Sequence, residues 1–386
     1  MTNYLIIGNG VAGTTAAEAI RKEDQQGRIT MISEEDLPFY YRIRLPDFVA
    51  GKIDEQRLLA KKPAWYAGQE ITLLTNQRVL DLCPETKTVR TVTGDLPYDR
   101  LLLATGSHAF VPPIPGAELP GVFTLRGIAD ARAIRDYATQ GQRVVVIGGG
   151  LLGLESGQAL RALGKEVTVV EFFPRLLPRQ LDEEGAKRLQ GMMERQHGFS
   201  FRLAARTLAI AGSERGLTEV SLEDGETIPC DMVILSAGVR ANLELAKAAG
   251  LDCDRGVRVN ERLETSTPGI FAAGDVAEFN NQPPSGIWPA ASEQGTIAGR
   301  NMAGGNAVYQ GTTPANTLKV VGIELASAGE IDIERRYQAQ ITATEVSYRK
   351  IVSNGQQVIG FILLGDIKDC GRLTRAIAEK APLTSI

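Results

Sequence analysis

Short apolar runs that end in glycine turns set the rhythm of this chain. Tyr4-Leu-Ile-Ile7 is continuously apolar, Gly8-Asn-Gly10-Val-Ala-Gly13 follows it, and Thr14 to Arg21 has helical character. An uninterrupted run of this length reads as a strand buried on both faces, so the order is strand, glycine turn, helix. Arg28 to Ser33 forms a second strand, with Glu34 and Glu35 directly after it. The pattern returns at Arg143 to Ile147, followed by Gly148-Gly-Gly150-Leu-Leu-Gly153, a helix from Leu154 to Leu163, and a strand Glu166 to Val170 that ends in Glu171. The two units lie about 140 residues apart and occur twice, which excludes a solenoid with its period of about 20 to 50 residues.

Three breaks organise the rest. Pro112-Pro-Ile-Pro-Gly116 is too proline-rich for a helix or a central strand and predicts a linker. The apolar strand Met232 to Leu235 gives way to the turn Ala237-Gly-Val-Arg240 and the helical run Leu243 to Ala249. Beyond Gly304-Gly305, Thr317 to Ala328 and Gln357 to Gly365 read as strands and Cys370 to Glu379 as a helix, a closing α+β domain of roughly 75 residues.

In a GxGxxG turn the first glycine allows the bend, the second lets a pyrophosphate approach the backbone, and the third lets helix and strand pack closely. The phosphate charge then meets free amides at a helix N-terminus. One such motif is a weak signal; two, each with a preceding strand, a following helix and a downstream acid, are a strong one. Gly8, Gly10, Val11, Ala12 and Gly13 are the expected cradle of the first site, and Gly148, Gly150, Leu151, Leu152 and Gly153 of the second. Glu171 is placed to accept hydrogen bonds from ribose hydroxyls and to repel a 2′-phosphate, which favours NADH over NADPH, although Arg175 nearby leaves room for a phosphate. Glu34 is expected to play the same part at the first site, with the adjacent Glu35 as the neighbouring choice.

Composition narrows the class. Of 386 residues, 43% are hydrophobic and 23% charged, which excludes disorder. The net charge is −4 without a long basic run, so no nucleic acid partner is expected. Only Thr2 and Asn3 precede the first strand and no stretch approaches about 18 apolar residues, so no membrane span and a cytoplasmic location are expected. The cysteines Cys83, Cys230, Cys253 and Cys370 form no CxxC, and there are just 2 histidines, so no metal site is expected.

Two further segments add specificity. Leu101-Leu-Leu-Ala104-Thr105-Gly106-Ser107 follows Tyr98-Asp99, and Thr265 to Ala277 reads TSTPGIFAAGDVA. With the two glycine turns, and in the same order, they resemble the signatures of the two-dinucleotide-fold flavoprotein reductases related to glutathione reductase, over essentially the whole length. The resemblance implies an α/β fold of two Rossmann-like dinucleotide-binding domains plus a small α+β C-terminal domain. FAD would sit on the first unit and NAD(H) on the second. The implied domains are 1–113 with 241–308 for FAD, 114–240 for NAD(H), and 309–386. By the same resemblance Ala104, Thr105, Gly106, Gly274 and Asp275 line FAD, Arg42 and Arg126 reach it, Gly238 belongs to the NAD site, and Glu155, Arg44 and Lys319 lie around the reacting flavin. Lys319 is expected at the pyrimidine edge, where it would stabilise the reduced anion.

Within that superfamily the thiol enzymes carry a Cys pair, or a single Cys, in the region after the first unit. Here Leu37 to Gly51 contains none, so a thiol relay has no residue to use. The stretch instead resembles that of NADH:rubredoxin oxidoreductases, flavorubredoxin reductases and the N-terminal part of assimilatory nitrite reductases. Leu45-Pro46-Asp47 departs from the Leu-Ser-Lys of dioxygenase ferredoxin reductases. Reduced nicotinamide can give a hydride to flavin without a protein acid or base, and flavin releases electrons singly. The expected function is therefore an NADH-dependent FAD reductase for a small carrier, rubredoxin foremost and ferredoxin next. A nitrite-reductase-type component or an NADH oxidase is the enzymatic alternative, and a flavin- and NAD(H)-binding redox sensor the non-enzymatic one.

Overall fold

A computed structural model describes residues 1–214, 216–312 and 315–382, with 315–320 described through their backbone alone. The chain divides into two compact units, each discontinuous in sequence: Met1–Arg42, Asp54–His108 and Val239–Thr312 form the first, and Ile43–Ile53, Ala109–Gly238 and Thr313–Ile386 the second.

The first unit is built on a parallel five-stranded sheet in the order Ile270–Ala272, Arg100–Leu103, Asn3–Ile7, Arg28–Ile32, Ile71–Leu74. Successive side chains of a strand point to opposite faces. Tyr4, Ile6 and Leu102 enter one core with the helices Val11–Glu23 and Trp288–Met302, while Leu5, Ile7, Leu101 and Leu103 enter another with Leu243 and Ala246. Burial on both faces is why the run at residues 4–7 has no polar alternation. Each such aliphatic side chain contributes about 1.5–3 kcal/mol by leaving water. The helix Trp288–Met302 is absent from the sequence expectation. It lies so close to Val11–Glu23 that a Cβ at Gly295 would meet the Ala12 carbonyl oxygen at 2.4 Å and one at Gly299 the Ala16 carbonyl oxygen at 2.4 Å.

The second unit repeats the plan. Its parallel sheet runs Ser200–Arg202, Glu166–Val170, Arg143–Ile147, Met232–Leu235, Val122–Thr124. In both sheets the strand before the glycine turn is central. The second helix begins at Leu151, earlier than the expected Leu154, because extended Gly150 caps it and the chain turns helical at once. Residues 43–53 group with this unit: Phe48 is buried and the Arg135 guanidinium lies 4.4 Å from its ring centroid.

The closing segment has an antiparallel sheet, in the order Ala315–Val320, Ile323–Gly329, Val358–Leu364, Tyr348–Ser353, Gln338–Ala343, with the helix Cys370–Ala378. It has a core of its own, in which Phe361, Leu363 and Ile351 pack with Leu373. In the two-unit division it falls within the second unit. Among the described residues no helix is long and apolar enough to cross a membrane.

Candidate functional site

Each glycine turn combines two kinds of constraint. Gly8 has φ +117°, and a Cβ there would fall 2.0 Å from the Ala104 carbonyl oxygen; a Cβ at Gly13 would fall 2.1 Å from the Gly8 carbonyl oxygen. Gly148 (φ +118°) stands likewise 2.2 Å from the Ser236 oxygen, and Gly153 2.1 Å from the Gly148 oxygen. The fold itself demands these four glycines. Gly10 and Gly150 differ, since a Cβ at either would meet nothing within 4 Å and neither has a positive φ. Each caps a helix with no side-chain hydrogen bond, leaving the first-turn amides of Val11, Ala12 and Gly13, and of Leu151, Leu152 and Gly153, without a side-chain cap. Bare helix N-termini beside a Cβ-sized gap, at the C-terminal edge of a parallel sheet, suit the pyrophosphate of a dinucleotide.

The acids behave unequally. Glu171 follows the Glu166–Val170 strand, is 6% exposed, and accepts hydrogen bonds from the Gly149 amide at 2.5 Å and the Phe173 amide at 2.8 Å. Its backbone amide donates to the Arg202 carbonyl at 2.8 Å; at the first site the amide that makes the matching bond, to Leu74 at 2.8 Å, is that of Ser33. Ser33, not Glu34, therefore occupies the place of Glu171, because the Arg28–Ile32 strand ends one residue before the expected Ser33. Glu34 is 71% exposed and lies 3.7 Å from Arg78. Glu35 is half-buried and bridges to Arg42 at 2.5 Å, while Tyr40 donates to it at 2.6 Å. Burial works against the charge of Arg42, but Tyr40, Glu35 and Asp275 outweigh it and hold its pKa above the ordinary value.

The remaining first-unit residues converge near that turn. Ala104 continues the Arg100–Leu103 strand, its amide donating to Ile7 at 2.8 Å. Asn242 ties the next two residues, donating from its side chain to the Thr105 carbonyl at 2.7 Å and from its amide to the Gly106 carbonyl at 3.0 Å. Ser107 donates to Asp275 at 2.9 Å, and the amide of Gly274 (φ +82°) donates to buried Gln294 at 2.8 Å. Sequence reasoning missed Gln294, and it missed Trp288, which stacks on Tyr41 at 5.6 Å and 22° with Phe39 beside it. The signal was present as small residues four apart, Ala291, Gly295 and Gly299, which mark a helix made for close packing.

In the second unit Glu155, on the helix Leu151–Ala162, accepts the Val321 amide at 3.0 Å. Arg175 donates to the carbonyls of Leu181 at 3.3 Å and Pro178 at 3.2 Å. Arg44 lies 3.9 Å from Asp47, and Gly238 has φ +101° with open space around its Cβ direction. Arg44 and Arg126 both belong to the second unit, unlike Arg42; the Arg126 amide donates to Asp130 at 2.7 Å. The Lys319 side chain lies outside the described residues.

Comparison with known proteins fits this geometry. Residues 2–295 match the family model "Pyridine nucleotide-disulphide oxidoreductase", and residues 314–381 match "Rubredoxin NAD+ reductase C-terminal domain". A nitrite reductase [NAD(P)H] of Bacillus subtilis (strain 168) is 35% identical over 387 residues, covering 98% of this chain, which spans about half (48%) of that relative's length. The NADH-rubredoxin oxidoreductase of Clostridium acetobutylicum is 32% identical, covering 100% of this chain and 97% of that protein. The solved ferredoxin reductase for the CYP199A2 system of Rhodopseudomonas palustris superposes with a TM-score of 0.88 at 28% identity, covering 100% of this chain and 98% of that one. Two glycine cradles of one design and a family match over most of the length lead to one conclusion: the chain belongs to the pyridine nucleotide-disulphide oxidoreductase family.

Proposed function

We propose that this chain is an NADH-dependent FAD reductase that passes electrons singly to a small carrier protein, rubredoxin or a rubredoxin-like domain. The observation that carries the reading is the pair of open cradles at Gly10 and Gly150, two dinucleotide sites of equal design in one chain. Gly8, Gly10, Val11, Ala12 and Gly13, with Ala104 to Gly106, Gly274, Asp275 and Arg42, hold FAD. Gly148, Gly150, Leu151, Leu152, Gly153, Gly238 and Glu171 hold NADH. FAD held by these residues would supply the redox chemistry, accepting two electrons from NADH and releasing them one at a time. The chain's own residues bind and orient, and no protein acid or base is required.

The absence of cysteine from residues 37–51 favours electrons leaving straight from the flavin. Burial pushes the Cys230 thiol up to about 11, so it stays protonated and unreactive at neutral pH. The choice of rubredoxin rests on the full-length likeness to the Clostridium protein and on the match of residues 314–381. The likeness to a ferredoxin reductase supports ferredoxin as the second reading. Anaerobic stopped flow decides: the NADH-reduced protein is expected to reoxidise faster with rubredoxin than with ferredoxin or O2, and the opposite order defeats the proposal. A flavin that NADH fails to bleach near 450 nm would leave a redox sensor in its place.

A further inference from the structure

Lys350, on the Tyr348–Ser353 strand, is the one buried lysine among the described residues, with 4% of its side chain exposed. Its three ammonium protons have three acceptors: Asp182 Oδ2 at 3.0 Å, the Ile331 carbonyl at 2.8 Å and the Asp332 carbonyl at 3.2 Å. Asp182 is equally engaged. Its Oδ2 also accepts from the Tyr348 hydroxyl at 2.8 Å, and its Oδ1 from the Gly185 amide at 3.0 Å, which caps the helix Glu183–His197. Taking two charges out of water costs about as much as their attraction returns, so such a pair adds little net stability. What a fully bonded buried network supplies is a fixed geometry.

The position fixed here is the far end of the segment that begins at Glu171. After Glu171, whose carboxylate takes the Gly149 and Phe173 amides, the chain folds back onto the second glycine turn. The Leu177 amide donates to the Gly149 carbonyl at 3.1 Å, and the Leu181 amide to the Leu177 carbonyl at 2.9 Å. A Cβ at Gly149 would meet the Leu176 side chain at 2.8 Å, so segment and turn are in close contact. Leu176, Leu177 and Leu181 are fully buried, and Leu177 has φ +48°, a conformation that a leucine keeps only where its surroundings impose it. Residues 171–182 thus form a strap with two anchors, Glu171 at one end and Asp182 at the other.

We infer that Lys350 is a positioning residue for the nucleotide site: through Asp182 it holds residues 171–182 against the glycine turn and keeps Glu171 aimed at the adenosine ribose of NADH. The inference rests on the proposed ribose role of Glu171. The coupling runs through contiguous bonded groups, from Lys350 to Asp182, Leu181, Leu177 and Gly149, and from Gly149 to Glu171.

Reduced nicotinamide mononucleotide carries the hydride but not the adenosine ribose. The ratio of kcat/KM for NADH to that for the mononucleotide, measured on the FAD-loaded protein with ferricyanide, therefore reads the adenosine end alone. Lys350→Met, close in length and uncharged, is expected to lower this ratio by about threefold to tenfold through the KM for NADH, with kcat, the mononucleotide rate and the flavin content within about twofold of the wild type. Titration calorimetry with ADP-ribose, which has that ribose and no hydride, should show the same weakening. Tyr348→Phe takes one donor from Asp182 and leaves the ring in place; it is expected to fold whether or not Lys350→Met does, and to lower the ratio about twofold. A loss confined to thermal stability, with the ratio and ADP-ribose affinity unchanged, overturns the inference. Glu171→Ala separates it from the reading beneath. A ratio lowered by Glu171→Ala but by neither other variant rejects the positioning role alone, and a ratio that Glu171→Ala also leaves unmoved rejects the ribose site itself.

Discussion

Glu155 accepts the amide proton of Val321 at 3.0 Å, which ties the helix behind the second glycine turn to the tip of the closing hairpin. Val321 has φ +55°, a conformation rare for a β-branched residue, and is 1% exposed. The bond satisfies an amide that the tight turn between Val320 and Ile323 leaves outside the ladder. Glu155→Ala is expected to cost about 1–3 kcal/mol and to lower the melting temperature, whereas Glu155→Gln keeps the acceptor and melts near the wild type. Equal melting of both variants with the wild type would remove this role.

The glycines separate fold from ligand. Gly8→Ala places a Cβ against the Ala104 carbonyl and forces a left-handed conformation, so the protein is expected to be poorly folded. A Cβ at Gly10 meets no protein atom within 4 Å, so Gly10→Val should fold with native dichroism but purify colourless. Gly150→Val should keep its yellow FAD and lose NADH affinity. Full flavin content in Gly10→Val, read at 450 nm, would overturn the first site.

Glu171→Ala removes the acceptor of two backbone amides at the proposed ribose position. The loss of a charged hydrogen bond, about 1.5–3 kcal/mol, corresponds to a fall of roughly tenfold to a hundredfold in kcat/KM for NADH. NADPH should not gain in proportion, because Arg175 is committed to the carbonyls of Pro178 and Leu181. Steady-state rates with both nucleotides and ferricyanide as acceptor check this, and an unchanged NADH/NADPH ratio counts against the ribose role.

Replacing Cys83, Cys230, Cys253 and Cys370 together by alanine should leave NADH-dependent bleaching of the flavin within about twofold of the wild type, because nothing in the proposed route uses a thiol. Loss of bleaching with FAD still bound would mean that one of them carries electrons.

Asp231 sets a pH response. The Arg143 guanidinium at 2.7 Å and the amides of Gln142 and Arg143, each at 2.9 Å, hold its carboxyl well below the usual carboxylate range. A depressed folded-state pKa stabilises fully above the unfolded value of about 3.9 and is lost as pH falls below it. Asp231→Asn should therefore melt lower than the wild type at pH 7, and the gap should begin to narrow as the pH falls below about 4 and go on narrowing below about pH 3. A gap that stays constant would exclude the linkage.

The two dinucleotide units, their order and their helix-capping turns were legible in the chain because each is local: an apolar run, glycines at fixed spacing and a downstream acid lie within about 30 residues. The closing hairpin was not: Thr317 to Ala328 was expected as one strand, and the turn at Val321-Gly322 splits it into the antiparallel pair Ala315–Val320 and Ile323–Gly329. Other features depend on strand ends and on packing between distant segments, which spacing alone does not report. Glu34 and Glu35 are indistinguishable by distance from Gly13, yet the last paired residue of the strand, Ile32, puts Ser33 where Glu171 stands in the other unit. The helix Trp288–Met302 is short of strong apolar periodicity because it buries glycine and alanine against another helix, so its signal is closeness and not hydrophobicity. The grouping of residues 43–53 with the second unit rests on where Phe48 finds its core. Short-range geometry determined what each segment can bind; long-range packing decided which neighbours it meets, and so which acid and aromatic ring face outward.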